Sequence, residues 1–147
     1  MNRIDLQHKT KAATGWSEKY WFENEKNGLK RTLFHRIVIP LEPFDSGLEY
    51  EEQPVRTEIV IEWLDFRLTD PDDLDQLEIT SEKYKDAEAS VYVGCAHNLC
   101  EIKKISLNRL EKDIYQAAGE ILVNFENEGV GQNEIFSFHT TIRHKGI

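Results

Sequence analysis

The chain has 147 residues and a net charge of −9, with hydrophobic residues at 39% and charged residues at 31%, the balance of a folded globule rather than a disordered chain. A chain of this length buries roughly 70% of its unfolded surface and needs neither disulfides nor metal to fold. The opening MNRIDLQHKTKAATG lacks the apolar stretch of a secretory signal, and no segment approaches the ~18 apolar residues of a membrane span, so the expectation is a cytoplasmic protein without membrane contact.

Residues 1–15 are polar and aperiodic and read as a mobile arm able to lie against the domain, leaving residues 16–147 as one domain. In SEKYWFENEKNGLKRTLFHRIVIP, Asn27-Gly28 stands between two β-prone runs, the signature of a type I′ hairpin turn. A two-residue turn there places Trp21 opposite Phe34 and Phe22 opposite Leu33, and His35 beside Tyr20 on the sheet surface. Pro40 and Pro43 end the second strand, and EPFDSGLEYEEQP follows as a polar loop. TEIVIEWLDFRL reads as a strand, but apolar residues of both parities imply a bulge near Glu62 or cover on both faces. In TDPDDLDQL, a cap residue, Pro71 and first-turn acids predict a short helix near 71–77.

EASVYVGC and LCEIKKI form a second hairpin around GCAHNLC, residues 94–100, which holds both cysteines of the chain. Either a His97-Asn98 turn or a four-residue loop sets Cys95 opposite Cys100 on an apolar face, as two core thiols. A metal reading fails because structural zinc takes four ligands and no further cysteine exists; a redox pair is geometrically allowed but chemically disfavoured by burial.

From Ser106 to Asn127 apolar residues recur at spacings of three and four: Leu107, Leu110, Ile114, Ala117, Ala118, Ile121, Leu122 and Phe125. This predicts the principal amphipathic helix, about 107–127, capped by Asn108 with Glu111 and closed near Gly129, with Gly119 allowing close approach to a sheet. EIFSFHTTIR closes the chain as a strand with Phe136, Phe138, Thr140 and Ile142 inward. The predicted class is α+β: a mainly antiparallel sheet of about five to six strands with that helix packed on one face.

Charge carries most of the functional reading. Residues 42–90 hold sixteen acids against four bases, a net of −12, while residues 1–41 carry +4 and residues 91–147 carry −1. A nucleic-acid binder neutralises phosphates with Lys and Arg, so this distribution argues against one. It favours a small interaction or inhibitor-type module that meets a basic protein through Glu51, Glu52, Asp72, Asp73 and Asp75. The alternative is a small enzyme or ligand-binding domain with a pocket between sheet and helix near His139, Arg143 and Asp65. The aspartates of 70–75 lack the glycine and terminal acid of an EF-hand loop and are assigned to helix capping. No nucleotide, P-loop, hydrolase or zincin motif is present, and no metal or cofactor is implied. An exposed edge strand is the one route to a homodimer that the pattern suggests.

Overall fold

The computed structural model describes residues 2–146. Strands account for 55% of the chain and helix for 5%, so the predicted α+β class gives way to a nearly all-β protein. The strands are β1 (Gly15–Asn24), β2 (Leu29–Pro40), β3 (Glu58–Leu64), β4 (Leu77–Ile79), β5 (Glu88–Val93), β6 (Ala96–Glu111), β7 (Ile114–Val123) and β8 (Glu134–Lys145). They form one sheet in the order β4-β6-β5-β3-β2-β1-β8-β7, and a further β6–β7 pairing closes seven of them into a barrel, with β4 outside on β6. Neighbours pair antiparallel except β1 and β8, which run parallel, with Gly15 opposite Ile142.

The predicted helix at 107–127 is the β6–β7 hairpin, with Glu111 opposite Ile114 and Leu107 opposite Ala117 across a turn at Lys112-Asp113. Tyr115, Ala117, Ile121, Val123 and Phe125 are all fully buried, a period of two, whereas Leu110, on the predicted helical stripe, is 56% exposed. Tyr115 and the β-branched Ile105, Ile114, Ile121 and Val123 suit a pleated surface, and Gly119 weakens a helix. The close approach expected at Gly119 is real but lies between strands: a Cβ there would sit 2.6 Å from Lys104 O.

The helix predicted near 71–77 is also absent among the described residues. Asp70 and Asp73 instead turn their carboxylates back onto the chain, Asp70 accepting from Asp72 N at 3.0 Å and Asp73 from Asp75 N at 3.1 Å. These local bonds compete with helical ones and win here.

The first hairpin forms, but a 3-10 turn at Glu25–Asn27 followed by Gly28 at φ 72° replaces the two-residue turn. Trp21 then faces Leu33, Tyr20 faces Phe34 and Lys19 faces His35. This slip of one residue moves His35 from the expected surface into the interior, at 2% exposure, because side chains alternate with a period of two. The bulge expected near Glu62 exists: His35 pairs with Leu64 but Ile37 with Ile61.

The barrel interior is filled by Ile37, Ile39, Ile59, Ile61, Val91, Ile105, Leu107, Ile121 and Phe136, all at most 1% exposed. Seven to eight strands enclose only enough room for such side chains. The N-terminal arm, expected to be mobile, closes one end: Ile4 and Leu6 are buried, and Glu134 accepts from Asp5 N at 3.0 Å and Leu6 N at 2.6 Å. The loop after β3 closes the other. On the outside, β8 exposes Ile135, Ser137, His139 and Arg143 between its buried residues.

Candidate functional site

At the end closed by the loop after β3, inward positions of four strands carry polar groups. Ser17 on β1 lies opposite Ile37 and His144 in the sheet, so all three point inward. His144 Nε2 donates to Asp72 Oδ1 at 2.9 Å, and in its neutral form its Nδ1 accepts from Ser17 Oγ at 2.8 Å. Lys19 Nζ donates to both Asp72 carboxylate oxygens at 2.7 and 2.8 Å. His35 stacks on His144 with ring centroids 5.9 Å apart, and its Nε2 donates to the Pro71 carbonyl at 2.8 Å. Its Nδ1 has no hydrogen-bond partner among the described residues. Tyr115 Oη accepts from Leu74 N at 3.1 Å and donates to Asp72 O at 3.3 Å.

Ser, His and Asp in line evoke a nucleophilic triad, but the surroundings point elsewhere. Ser17 is 0% exposed, so an acyl group has no path to its oxygen. The ammonium of Lys19, followed by the bond from His144, holds the Asp72 carboxyl below its usual range. Burial, reinforced by the neighbouring His144 and Lys19, lowers the pKa of His35 against the opposing effects of the Pro71 carbonyl and Asp72. The cluster is a clamp that fastens the 70–75 loop over the barrel.

The predicted partner-binding acids divide accordingly. Asp72 belongs to the clamp, Asp73 Oδ1 accepts from Arg109 at 2.6 Å, and Asp75 Oδ1 accepts from Arg109 N at 2.8 Å. Glu51 is also engaged, receiving Gly94 N and Ser46 Oγ, both at 2.7 Å. Glu52 is exposed. The alternative pocket is not assembled. His139 and Arg143 stand on the outside of β8, His139 against Gln116, while Asp65 follows β3, beyond the intervening β1 and β2, and receives Arg67 Nε at 3.3 Å. A pocket between sheet and helix is ruled out with the helix itself.

GCAHNLC is a hairpin tip whose turn falls earlier than expected. Gly94 and Cys95, at φ 70° and 60°, are the two central residues, with Val93 opposite Ala96 and Ala89 opposite Cys100. The cysteines are therefore not opposed: Cys95 is exposed and Cys100 half-buried, its thiol pushed up to about 12 by burial. Asn98 is fully buried, and its amide donates to Val91 O, Val93 O and Ala96 O at 3.1, 2.9 and 3.0 Å. No group of three or more His, Cys, Asp or Glu among the described residues is arranged to hold a metal.

The β2–β3 loop, residues 41–57, has a different character. Leu41, Phe44, Leu48 and Val55 anchor it in the core. Gln53 binds Ser46 N through its oxygen at 3.0 Å and Ser46 Oγ through its nitrogen at 2.8 Å, while Glu51 ties it to the Gly94 turn. On this framework Glu42, Asp45, Glu49, Tyr50 and Glu52 are exposed, Tyr50 at 61%; Glu42 lies 4.0 Å from Lys11 Nζ and Asp45 accepts from Gly47 N. Sequence reasoning noted the acids but missed Tyr50, whose only signal was a large aromatic in a polar loop.

No helix among the described residues is long and apolar enough to cross a membrane. The fold and these sites define a small closed β-barrel filled by its own side chains, clamped at one end and carrying a fixed acidic loop at the other. No protein-family model matches the sequence, and no curated protein or solved structure matches the chain.

Proposed function

We propose that the protein is an interaction module that meets a basic protein surface through the 41–57 loop, acting by electrostatic and steric occupation. The observation that carries this reading is a loop whose backbone is tied down by Glu51 and Gln53 and which exposes Glu42, Asp45, Glu49 and Glu52 together with Tyr50. A loop backbone already held in place loses little conformational entropy on binding, and an exposed tyrosine supplies rigid, amphipathic contact area. The neighbouring loop adds Glu126 and Glu128, both exposed, beside Val130, which packs on Gly94. Such a surface accelerates association with a basic partner and loses that advantage in salt.

The test is capture from lysate at low salt and at roughly 0.5 M salt, where the Debye length is about 4 Å, followed by association kinetics with the captured protein. Reversing Glu42, Asp45, Glu49 and Glu52 together to Lys is expected to slow association at least ~10-fold at low salt. An unchanged on-rate, with the variant still folded, would refute the reading.

A further inference from the structure

Phe22, Leu29, Phe34 and Trp63 wall a groove of about 440 Å³ at the β1–β2 hairpin end of the barrel, and Asp86 is its one charged lining residue. It lies apart from both the clamp and the acidic loop. Trp63 sits at φ 60°, a left-handed conformation that is a true outlier for a bulky side chain and marks a place where the fold sustains strain to aim a residue. The bulge at this point in β3 turns the indole against Phe22 at 4.9 Å, Phe34 at 5.3 Å and Tyr20 at 6.0 Å, with interplanar angles of 66°, 87° and 70°. Rings at such angles stand like the walls of a box. Phe22 remains 37% exposed.

Several of the chain's other aromatics carry one of its cations on a face, while the exposed Tyr50 and Tyr92 carry none among the described residues. Lys145 lies 4.0 Å from the Trp16 ring, Arg31 lies 4.6 Å from Trp21 and Arg36 lies 5.5 Å from Tyr20. Phe22, Phe34 and Trp63 carry no cation of this chain among the described residues, and Asp86 has no ion-pair partner among them. A groove of aromatic faces with one carboxylate at its edge and no cation in its lining is the chemical complement of a positively charged, weakly hydrated group.

We propose that this groove binds an alkylated ammonium group, with the Phe22 and Trp63 rings against its methyl groups, the buried Phe34 as the floor behind them and Asp86 as counter-charge. A nucleobase is a poorer match, because stacking calls for parallel faces and phosphate for cations. Lys30, Arg31 and Arg67, which could meet phosphate, line a separate groove with Trp21.

The experiment titrates the folded protein with tetramethylammonium and choline chlorides while following the Trp63 indole N–H resonance, assigned through Trp63→Phe. Sodium chloride serves as the ionic control and 3,3-dimethylbutanol as the neutral isostere of choline. Saturable shifts with the ammonium compounds alone are expected, weakened up to about 5-fold by Asp86→Asn and lost in Phe22→Ala. A trimethyl-lysine peptide forms the second arm: tighter binding than choline assigns the group to a protein side chain, and weaker binding assigns it to a small molecule. No shift beyond the salt control, or equal binding of the neutral isostere, would overturn the proposal and leave the rings as a packing cluster.

Discussion

His144, on the last strand, lies 2.9 Å from Asp72 in the loop after β3. The bond joins residues 72 positions apart and makes the barrel's end depend on a loop that the sequence reads as a short acidic helix. Replacing Asp72 by Asn removes the charge that receives three hydrogen bonds, two from Lys19 and one from His144. Because its side chain is 41% exposed, the expected loss is only about 1–2 kcal/mol. His144→Ala leaves Ser17 unpartnered in the interior and should cost more, roughly 2–4 kcal/mol. Urea denaturation of the two variants checks the order.

The same geometry predicts that Ser17 is not a nucleophile. A fluorophosphonate probe should leave the native protein unlabelled, and Ser17→Ala should register only as lost stability, about 1–3 kcal/mol from the unpaired His144 nitrogen. Stoichiometric labelling of Ser17 would contradict the clamp assignment.

Acid should open the clamp. The pKa of His35 is lowered in the folded state from the ordinary 6.5, so its contribution is fully present above that value and is lost as pH falls through the folded value. Protonation would put a second N–H on a buried nitrogen without an acceptor. Asp72, also lowered, adds a loss at still lower pH, as it falls through the folded carboxyl value. Melting temperature measured from pH 7 to pH 5 should fall, and His35→Gln should flatten that part of the curve; an equal slope in the variant would exclude His35 as the cause.

The two thiols should behave oppositely. Cys95 is exposed at the hairpin tip, whereas Cys100 is half-buried with its thiol near 12. Ellman's reagent should titrate one thiol quickly in the native protein and the second only after denaturation. Two fast thiols, or a disulfide between them, would disprove the hairpin register.

The β6–β7 hairpin can be tested by position. Leu107 is fully buried and Leu110 is 56% exposed, so Leu107→Ala should cost about 2–5 kcal/mol and Leu110→Thr under about 0.5 kcal/mol. Gly119→Ala would press a methyl to 2.6 Å from Lys104 O, at a cost of about 1–3 kcal/mol. A helix would show similar losses at both leucines, which share the predicted stripe.

What the amino-acid sequence determined by itself was local. Asn27-Gly28 marked a hairpin because glycine tolerates the positive φ a tight turn needs, mixed parity in TEIVIEW marked the bulge at Glu62, and strict alternation marked β8. The span 106–127 was ambiguous for a physical reason: Ala117, Ile121 and Phe125, four residues apart, lie on one face of a helix and on one face of a strand alike. Only pairing with β6 and β8 decided between them, by burying Tyr115 and Val123 and exposing Leu110. The same holds for function. Counting located the acidic segment, but which acids are available depended on distant partners: Lys19, His144 and Arg109 engage Asp72, Asp73 and Asp75, and the Gly94 turn engages Glu51. The slip of one residue in the first hairpin, invisible to turn statistics, carried His35 into the interior. Closure of the barrel set these outcomes, since a closed sheet fixes every strand's register against two neighbours at once and leaves each side chain one direction to face.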